Sequence, residues 1–372
     1  MCKRAVLLLL ISSFFSTGIY AGSSPKFGAK DYVSALKKVT DVMLNDVASP
    51  VAASRYYAYI NVTSYETISL FDSSNYSSLQ GVIRLFPRLK IDKQLLQQSD
   101  RSLSVILAIF KSGQKLLPSG YMLQKEIDSL KIIYAVDEKR KLVYQQSALL
   151  VDEIVKQIIA YAKQDGFPQL NNLSRYTPEV GDGFWKPTPP AFMAPVEPHW
   201  NTLRTFLLDS AQQYKTAAPV SYDTSSASAF YKMVLEVYET DKKATQEQRN
   251  IANFWDCNPF AVQQIGHVEF GLKKISPGGH WIGIAGIACI KKKLALEKTA
   301  LVHMLLSVTL ADAFIACWDE KYRSNRVRPE TVIQKLIDPR WHPMLQTPPF
   351  PEYVSGHSVD SNAAAVMLTT LF

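Results

Sequence analysis

Two short segments near the end of the 372-residue chain carry side chains suited to oxyanion chemistry. The first, Lys321-Tyr-Arg-Ser-Asn-Arg-Val-Arg328-Pro329, sets a lysine seven residues before an arginine that abuts a proline. The second is Tyr353-Val354-Ser355-Gly356-His357. Upstream of Lys321, the residues Leu301, Leu305, Val308, Ala311, Ile315 and Trp318 recur at three- and four-residue spacing. That period predicts a helix from Leu294 to about Lys321 with one buried stripe, so Lys321 falls in its last turn. Pro329 biases Arg328 toward an extended backbone, which leaves one cation on a helix end and one on the loop leaving it. Ser355-Gly356-His357 reads as the start of the next helix, where unpaired N–H groups and the positive end of the dipole favour an anion. Gly356 permits close backbone approach, and Ser355 either caps the helix or donates its hydroxyl to an oxyanion. His357 is the proton-transfer group of the set whose reference pKa lies near neutrality. Such a set suits a tetrahedral or trigonal-bipyramidal oxyanion.

Each segment alone also has an ordinary reading. Cations at a helix C-terminus complement its dipole in water, and Ser-Gly-His is a common helix start. Order, spacing and neighbours add the rest. Asp312-Ala-Phe-Ile-Ala-Cys-Trp-Asp-Glu-Lys321, the six residues between Lys321 and Arg328-Pro329, and the Ser355-Gly356-His357 start resemble one superfamily. It unites vanadium-dependent haloperoxidases with type 2 phosphatidic acid phosphatases and bacterial acid phosphatases. The resemblance implies that Lys321 and Arg328 bind phosphate or vanadate oxygens, that Ser355 and Gly356 are further oxyanion donors, and that His357 is the acid/base residue. Where the family often has proline, this chain has Val354.

The superfamily also carries a third motif, Ser-Arg-x5-His-x3-Asp, which supplies another arginine and the histidine that attacks phosphorus or binds vanadium. None of the six histidines here has an arginine six positions before it; those places hold Met193, Ala261, Lys274, Glu297, Leu336 and Pro351. The final residues, Leu368-Thr-Thr-Leu371-Phe372, include no helix-closing glycine, asparagine or proline. The expectation is a chain cut short in mid-helix, without the vanadate-ligand histidine and with no direct metal ligand.

The elements that must position these residues are read from the rest of the chain. Lys3 and Arg4 precede an uncharged apolar run, Ala5 to Ala21, followed by small residues; this predicts a signal peptide over 1–21 and a protein exported to the periplasm or secreted. Its alternative, an uncleaved anchor, is at the short edge of what spans a bilayer. The mature part divides into a helical region over 22–200 with a proline-rich connection and an oxyanion-site region over 201–372. Ser49-Pro50 predicts a capped helix start, with Tyr56, Tyr57, Ile60, Ile68 and Phe71 at helical spacing and the aromatic stripe in the core. Leu103 to Leu116 predicts another helix. Glu126 to Gly166 predicts two, with Ile132, Ile133, Val136, Leu149, Leu150, Ile154, Ile158 and Ile159 on apolar faces. Phe167 to Trp200 contains seven prolines interleaved with aromatics, a long connection that could wall a substrate entrance or pack across helical layers. Helices are predicted again at Asn201–Gln213, from after Tyr222 to about Thr240, at Thr245–Trp255 and at Gly279–Cys289. Gly183-Phe-Trp-Lys-Pro-Thr-Pro-Pro190, Phe254-Trp255-Asp256 and Gly279-His280-Trp281 also resemble bacterial haloperoxidase-like members of the superfamily.

Composition narrows the function. The hydrophobic share of 47% supports a sizeable core, and the formal charge of +8 is scattered, with no nucleic-acid module pattern. Cys257, Cys289 and Cys317 do not form a disulfide framework and read as small buried hydrophobes. His303, inside Leu301-Val-His-Met-Leu-Leu306, reads as a hydrogen-bonded core histidine. His280 could approach the anion site, but no pair of histidines has zinc-ligand spacing. Asp312 and Asp319 read either as counter-charges to the lysine or as partners for Arg323, Arg326 or Lys321. Phosphate-loop and serine-elbow sequences are absent. The reading is an all-α, two-layer helical fold. By resemblance it is a haloperoxidase holding vanadate and acting on halide and peroxide. The alternatives are a phosphomonoester hydrolase of the same superfamily, without cofactor, and an inactive anion-binding chain.

Overall fold

The computed structural model describes residues 25–265, 268–271 and 273–372. The segment read as a signal peptide lies outside these. The described residues form helices α1 (Ala29–Asn45), α2 (Pro50–Phe71), α3 (Lys93–Gln97), α4 (Arg101–Leu116), α5 (Gln124–Tyr134) and α6 (Glu138–Ala162). After a long connection come α7 (Ala229–Lys243), α8 (Gln246–Phe254), α9 (Pro277–Lys291), α10 (Leu296–Ser324), α11 (Pro329–Leu336) and α12 (Gly356–Leu371). The fold is all-α, with one antiparallel ribbon, Val262–Ile265 against Val268–Gly271.

A central pair organises the molecule. α10 lies along α2; α4 and α6 cover α2 on one side, and α9 and α12 pack on α10 on the other. Ser49 starts α2 as the cap the sequence predicts, its Oγ accepting from Ala52 N at 3.2 Å, with Pro50 in the first turn. From Pro50 to Ser69 the helix is almost wholly buried, polar residues included. Thr63 and Thr67 donate to carbonyls one turn back, and Asn61 and Ser64 meet the Tyr32 hydroxyl, so these polar atoms enter the core hydrogen-bonded. α10 is long and apolar enough to cross a membrane, but its sides are buried in the protein, as a core helix requires.

Three expectations are corrected. Asn201–Gln213 is irregular beyond a single turn at Trp200–Thr202. Leu203 and Phe206 do enter the core, but the N–H groups of this stretch bond tertiary acceptors: Arg204 N finds Asp165 O, and Phe206, Leu207 and Leu208 find the Asp312 carboxylate. A helix would have turned those donors back on itself. Ile132, Ile133, Val136 and Leu149 are exposed, whereas Leu150, Ile154 and Ile158 are fully buried; α5 and α6 present a narrower buried stripe than their composition suggests. The helix after Tyr222 begins only at Ala229, capped by Ser228.

The proline-rich connection packs across the end of α10. Trp185 and Trp200 are buried, Trp185 N donates to Asn325 O, and Val196 O accepts from both Trp318 Nε1 and the Tyr322 hydroxyl. Cys257, Cys289 and Cys317 are free and buried.

Candidate active site

α10 runs through Lys321 and ends at Ser324, where Asn325 takes a left-handed conformation. Arg328 is extended (φ −78°, ψ 144°), and Pro329 occupies the first turn of α11, as the X-Pro restriction dictates. Ser355 caps α12, its Oγ accepting from Ser358 N at 3.2 Å. Of the two roles open to Ser355, the structure takes the cap; the hydroxyl proton is still available to donate.

These segments converge. A Cβ built on Gly356 would lie 3.9 Å from both Lys321 Cε and Trp318 Cζ3, so the α12 start sits in van der Waals reach of the lysine stem. Lys321 and Arg328 both face the Phe350 ring, each with its charge 4.9 Å from the centroid. His357 lies at the exposed edge, its ring bonded to the Trp255 carbonyl. The five residues singled out from sequence therefore form one neighbourhood.

Their environments differ. Lys321 is 1% exposed and donates to the carbonyls of Pro351 (3.1 Å), Glu352 (3.1 Å) and Val354 (2.5 Å). All three ammonium protons thus hold the 351–354 segment, and the lysine offers the site its charge rather than a free N–H. Burial pushes its pKa down to about 7; the nearby Arg328 charge acts in the same direction, while Cys317 and Glu352 oppose it. The three carbonyl acceptors also favour the charged form. Arg328 donates from Nε to Phe350 O at 2.7 Å, whereas its buried Nη2 has no partner. Burial lowers its pKa to about 10, so it remains a cation at neutral pH. Desolvation lowers the His357 pKa, opposed by the Trp255 carbonyl and Asp256 and assisted by Lys321.

The carboxylates take other roles. Asp312 accepts from the backbone N–H groups of Phe206, Leu207 and Leu208, and Asp319 accepts from Asn201 and Arg323. Neither stands against Lys321, so the counter-charge expectation is corrected. His303 is a core residue, its Nδ1 against Thr299 O at 2.8 Å and its pKa pushed down to about 4 by burial. His280, at the start of α9, does approach His357, whose charge adds to burial in lowering the His280 pKa. Among the described residues no three His, Cys, Asp or Glu side chains gather as a metal site.

Sequence reasoning missed Phe350, which both cations share, and the Trp255 carbonyl. The prolines flanking Phe350 (Pro348, Pro349 and Pro351) were a usable signal of a rigid segment. Of two sizeable cavities, one adjoins the neighbourhood. An apolar groove of about 740 Å³ runs between α10 and α12 with Ser355 at its rim. Another of about 800 Å³, lined by Tyr56, Phe167, Glu197 and Phe260, contains none of the five residues. The first is contiguous with the chemistry and the second is not.

The donor set fits a tetrahedral oxyanion. It combines an unpartnered buried guanidinium N–H, a buried lysine whose ammonium is held by three carbonyls, a free hydroxyl proton and first-turn N–H groups of α12. A family model described as the VCPO second helical-bundle domain matches residues 301–372. The chain is similar to the structure of a bacterial vanadium-dependent iodoperoxidase at 38% identity and TM-score 0.85, covering 94% of this chain and 82% of that one. A bacterial vanadium-dependent chloroperoxidase in its holo form shares the fold, with 13% identity and TM-score 0.61 over 86% of this chain and 77% of that one. Its apo form gives 13% identity and 0.56 over 86% and 78%. No curated protein matches the sequence.

Proposed function

Because the chain belongs to the vanadium-dependent haloperoxidase superfamily, we propose that it is a haloperoxidase holding vanadate between the end of α10 and the start of α12 and oxidising a halide with hydrogen peroxide. Iodide is the proposed halide, since the 38%-identical relative is named for it. The observation that carries the reading is the unpartnered, buried Nη2 of Arg328 beside Lys321 and beneath the α12 start. A buried guanidinium N–H without an acceptor costs about 1–3 kcal/mol, which an oxyanion at that place removes.

Vanadate, when bound, supplies the Lewis-acidic centre at which peroxide is activated. The protein's part is to bind, orient and move protons. Arg328 Nη2 and the Ser355 hydroxyl donate to oxygens, the first-turn N–H groups of Gly356 and His357 add donors aligned with the helix dipole, and Lys321 contributes positive charge from below. Lys321 also fixes the 351–354 segment through its three carbonyl bonds, which holds Phe350 against Arg328. One ring nitrogen of His357 is engaged with the Trp255 carbonyl, and its other nitrogen takes or returns a proton at the exposed edge. Its lowered pKa keeps that nitrogen unprotonated, and so able to act as a base, at neutral pH. The Ser-Arg-x5-His-x3-Asp sequence does not occur within residues 1–372, so the site described is the part these residues build.

The test combines binding and turnover. Vanadate should raise the urea midpoint of the purified chain, inorganic phosphate should compete with it, and triiodide formation from iodide and hydrogen peroxide should depend on added vanadate. Hydrolysis of p-nitrophenyl phosphate without halide oxidation would transfer the site to the phosphatase branch. Absence of stabilisation by either anion would overturn the oxyanion site itself.

A further inference from the structure

Beside His357 the structure holds a second imidazole in an arrangement that the proposed reaction does not use. Cys257 Sγ lies 3.1 Å from His280 Nδ1. The His280 ring stacks on Phe254 (centroids 6.0 Å, planes 18° apart) and meets Trp255 edge-on at 5.5 Å. The three aromatic and thiol contacts therefore come from one short stretch, the last residue of α8 and the turn after it. That same turn carries the Trp255 carbonyl to which the His357 ring is bonded. It is tied down further by Asn258 N on Asp256 Oδ1, by the Lys274–Asp256 ion pair, and by Asn258 Nδ2 on Gln346 O. The two histidines thus rest on the same short turn and share Trp255, His280 through its ring and His357 through its carbonyl.

The chemistry of the pair sets its tautomer. Cys257 is 2% exposed, and burial pushes its thiol up to about 12, so at neutral pH the sulfur keeps its proton. A thiol is a weak acceptor, and an imidazole nitrogen is a good one. The satisfied arrangement has S–H donating to Nδ1, which leaves the proton of the neutral ring on Nε2. We propose that His280 is a positioning residue for His357: locked by Cys257 in the Nε2–H form and clamped between Phe254 and Trp255, it fixes the turn whose Trp255 carbonyl orients the His357 ring. The inference rests on the reading of His357 as the acid/base residue, but not on whether the bound oxyanion is vanadate or phosphate.

The charged groups that act on the two rings are Asp256, paired with Lys274, and Lys321 on His357, and His357 on His280; Asp360, one turn along α12, acts on the Cys257 thiol. Removing the clamp loosens the carbonyl acceptor, which favours the imidazolium, so the His357 midpoint should move down.

The experiment is two-dimensional NMR of the full chain labelled with ¹⁵N in histidine, without vanadate. The expected result is a single His280 tautomer with an unprotonated Nδ1. Cys257→Ala should release it to a tautomer mixture and shift the His357 ring signals and titration midpoint, and Cys257→Ser, whose hydroxyl also donates, should restore both. If Cys257→Ala fails to fold, the native tautomer and the Cys257→Ser spectrum still decide the matter. A native His280 protonated at Nδ1 overturns the thiol-donor assignment. A Cys257→Ala spectrum altered at His280 but unchanged at His357 overturns the positioning role. Because vanadate is absent throughout, failure here is separable from failure of vanadate binding or iodide oxidation.

Discussion

Arg328 and Lys321 are both cations, but they differ in what they have left to offer. Lys321 has given its three protons to carbonyls, whereas Arg328 keeps a buried Nη2 without an acceptor. Removing Arg328 should therefore separate binding from stability. In Arg328→Leu the loss of the Nε–Phe350 bond, about 1 kcal/mol, is offset by removal of the unpartnered group, so the anion-free unfolding free energy should change by less than about 1 kcal/mol. Vanadate affinity should fall at least about tenfold, the scale of one charge-assisted hydrogen bond. Paired urea titrations with and without vanadate measure both quantities, and equal losses in the two would refute the division of roles.

At the level of elements, α10 is the axis on which the site is built, and Asp312 shows how it recruits irregular chain. The carboxylate is 5% exposed, and burial raises its pKa despite three backbone N–H donors. Asp312→Ala would leave the donors of Phe206, Leu207 and Leu208 without their acceptor; we expect a loss of about 3 kcal/mol, since part of the penalty is relieved by water entering. Hydrogen exchange should accelerate first at those three amides. If protection there is unchanged, the loop is held by its apolar contacts alone. The same logic explains why an apolar spacing that suits a helix did not become one: the acceptors for its N–H groups came from α10 and from Asp165.

For the whole molecule, Asp360 provides a pH dependence with a definite sign. Both of its oxygens are buried without partners, and burial raises its pKa from 3.8 to about 7. The folded state therefore binds the proton more tightly than the unfolded chain, so this group's contribution falls as pH rises from about 4 to 7 and is constant above. The ceiling is on the order of 4 kcal/mol, at about 1.4 kcal/mol per pH unit across that window. Asp360→Asn should flatten that slope and make the protein more stable than the parent at pH 8. Urea unfolding at pH 5 and pH 8 reads both, and a variant with the parental slope would assign the dependence elsewhere.

Much of the site was legible in the sequence because the signals were local. Pro329 fixes the backbone of Arg328, Ser355 finds its own N–H three residues on, Ser49-Pro50 starts α2, and an unbroken apolar period carries α10 to Lys321. These depend on sterics and hydrogen bonds within a few residues, which hold wherever the segment sits. Contacts across the fold decided the rest. Only packing placed Phe350 between the two cations, gave the Lys321 protons to residues thirty positions away, set Trp255 under His357, and left Ile132 and Val136 in solvent. A hydrogen-bond acceptor or a covering surface supplied by a distant element has no sequence period, so the residues' types named the chemistry while the tertiary structure chose which of their protons and charges remained free to perform it.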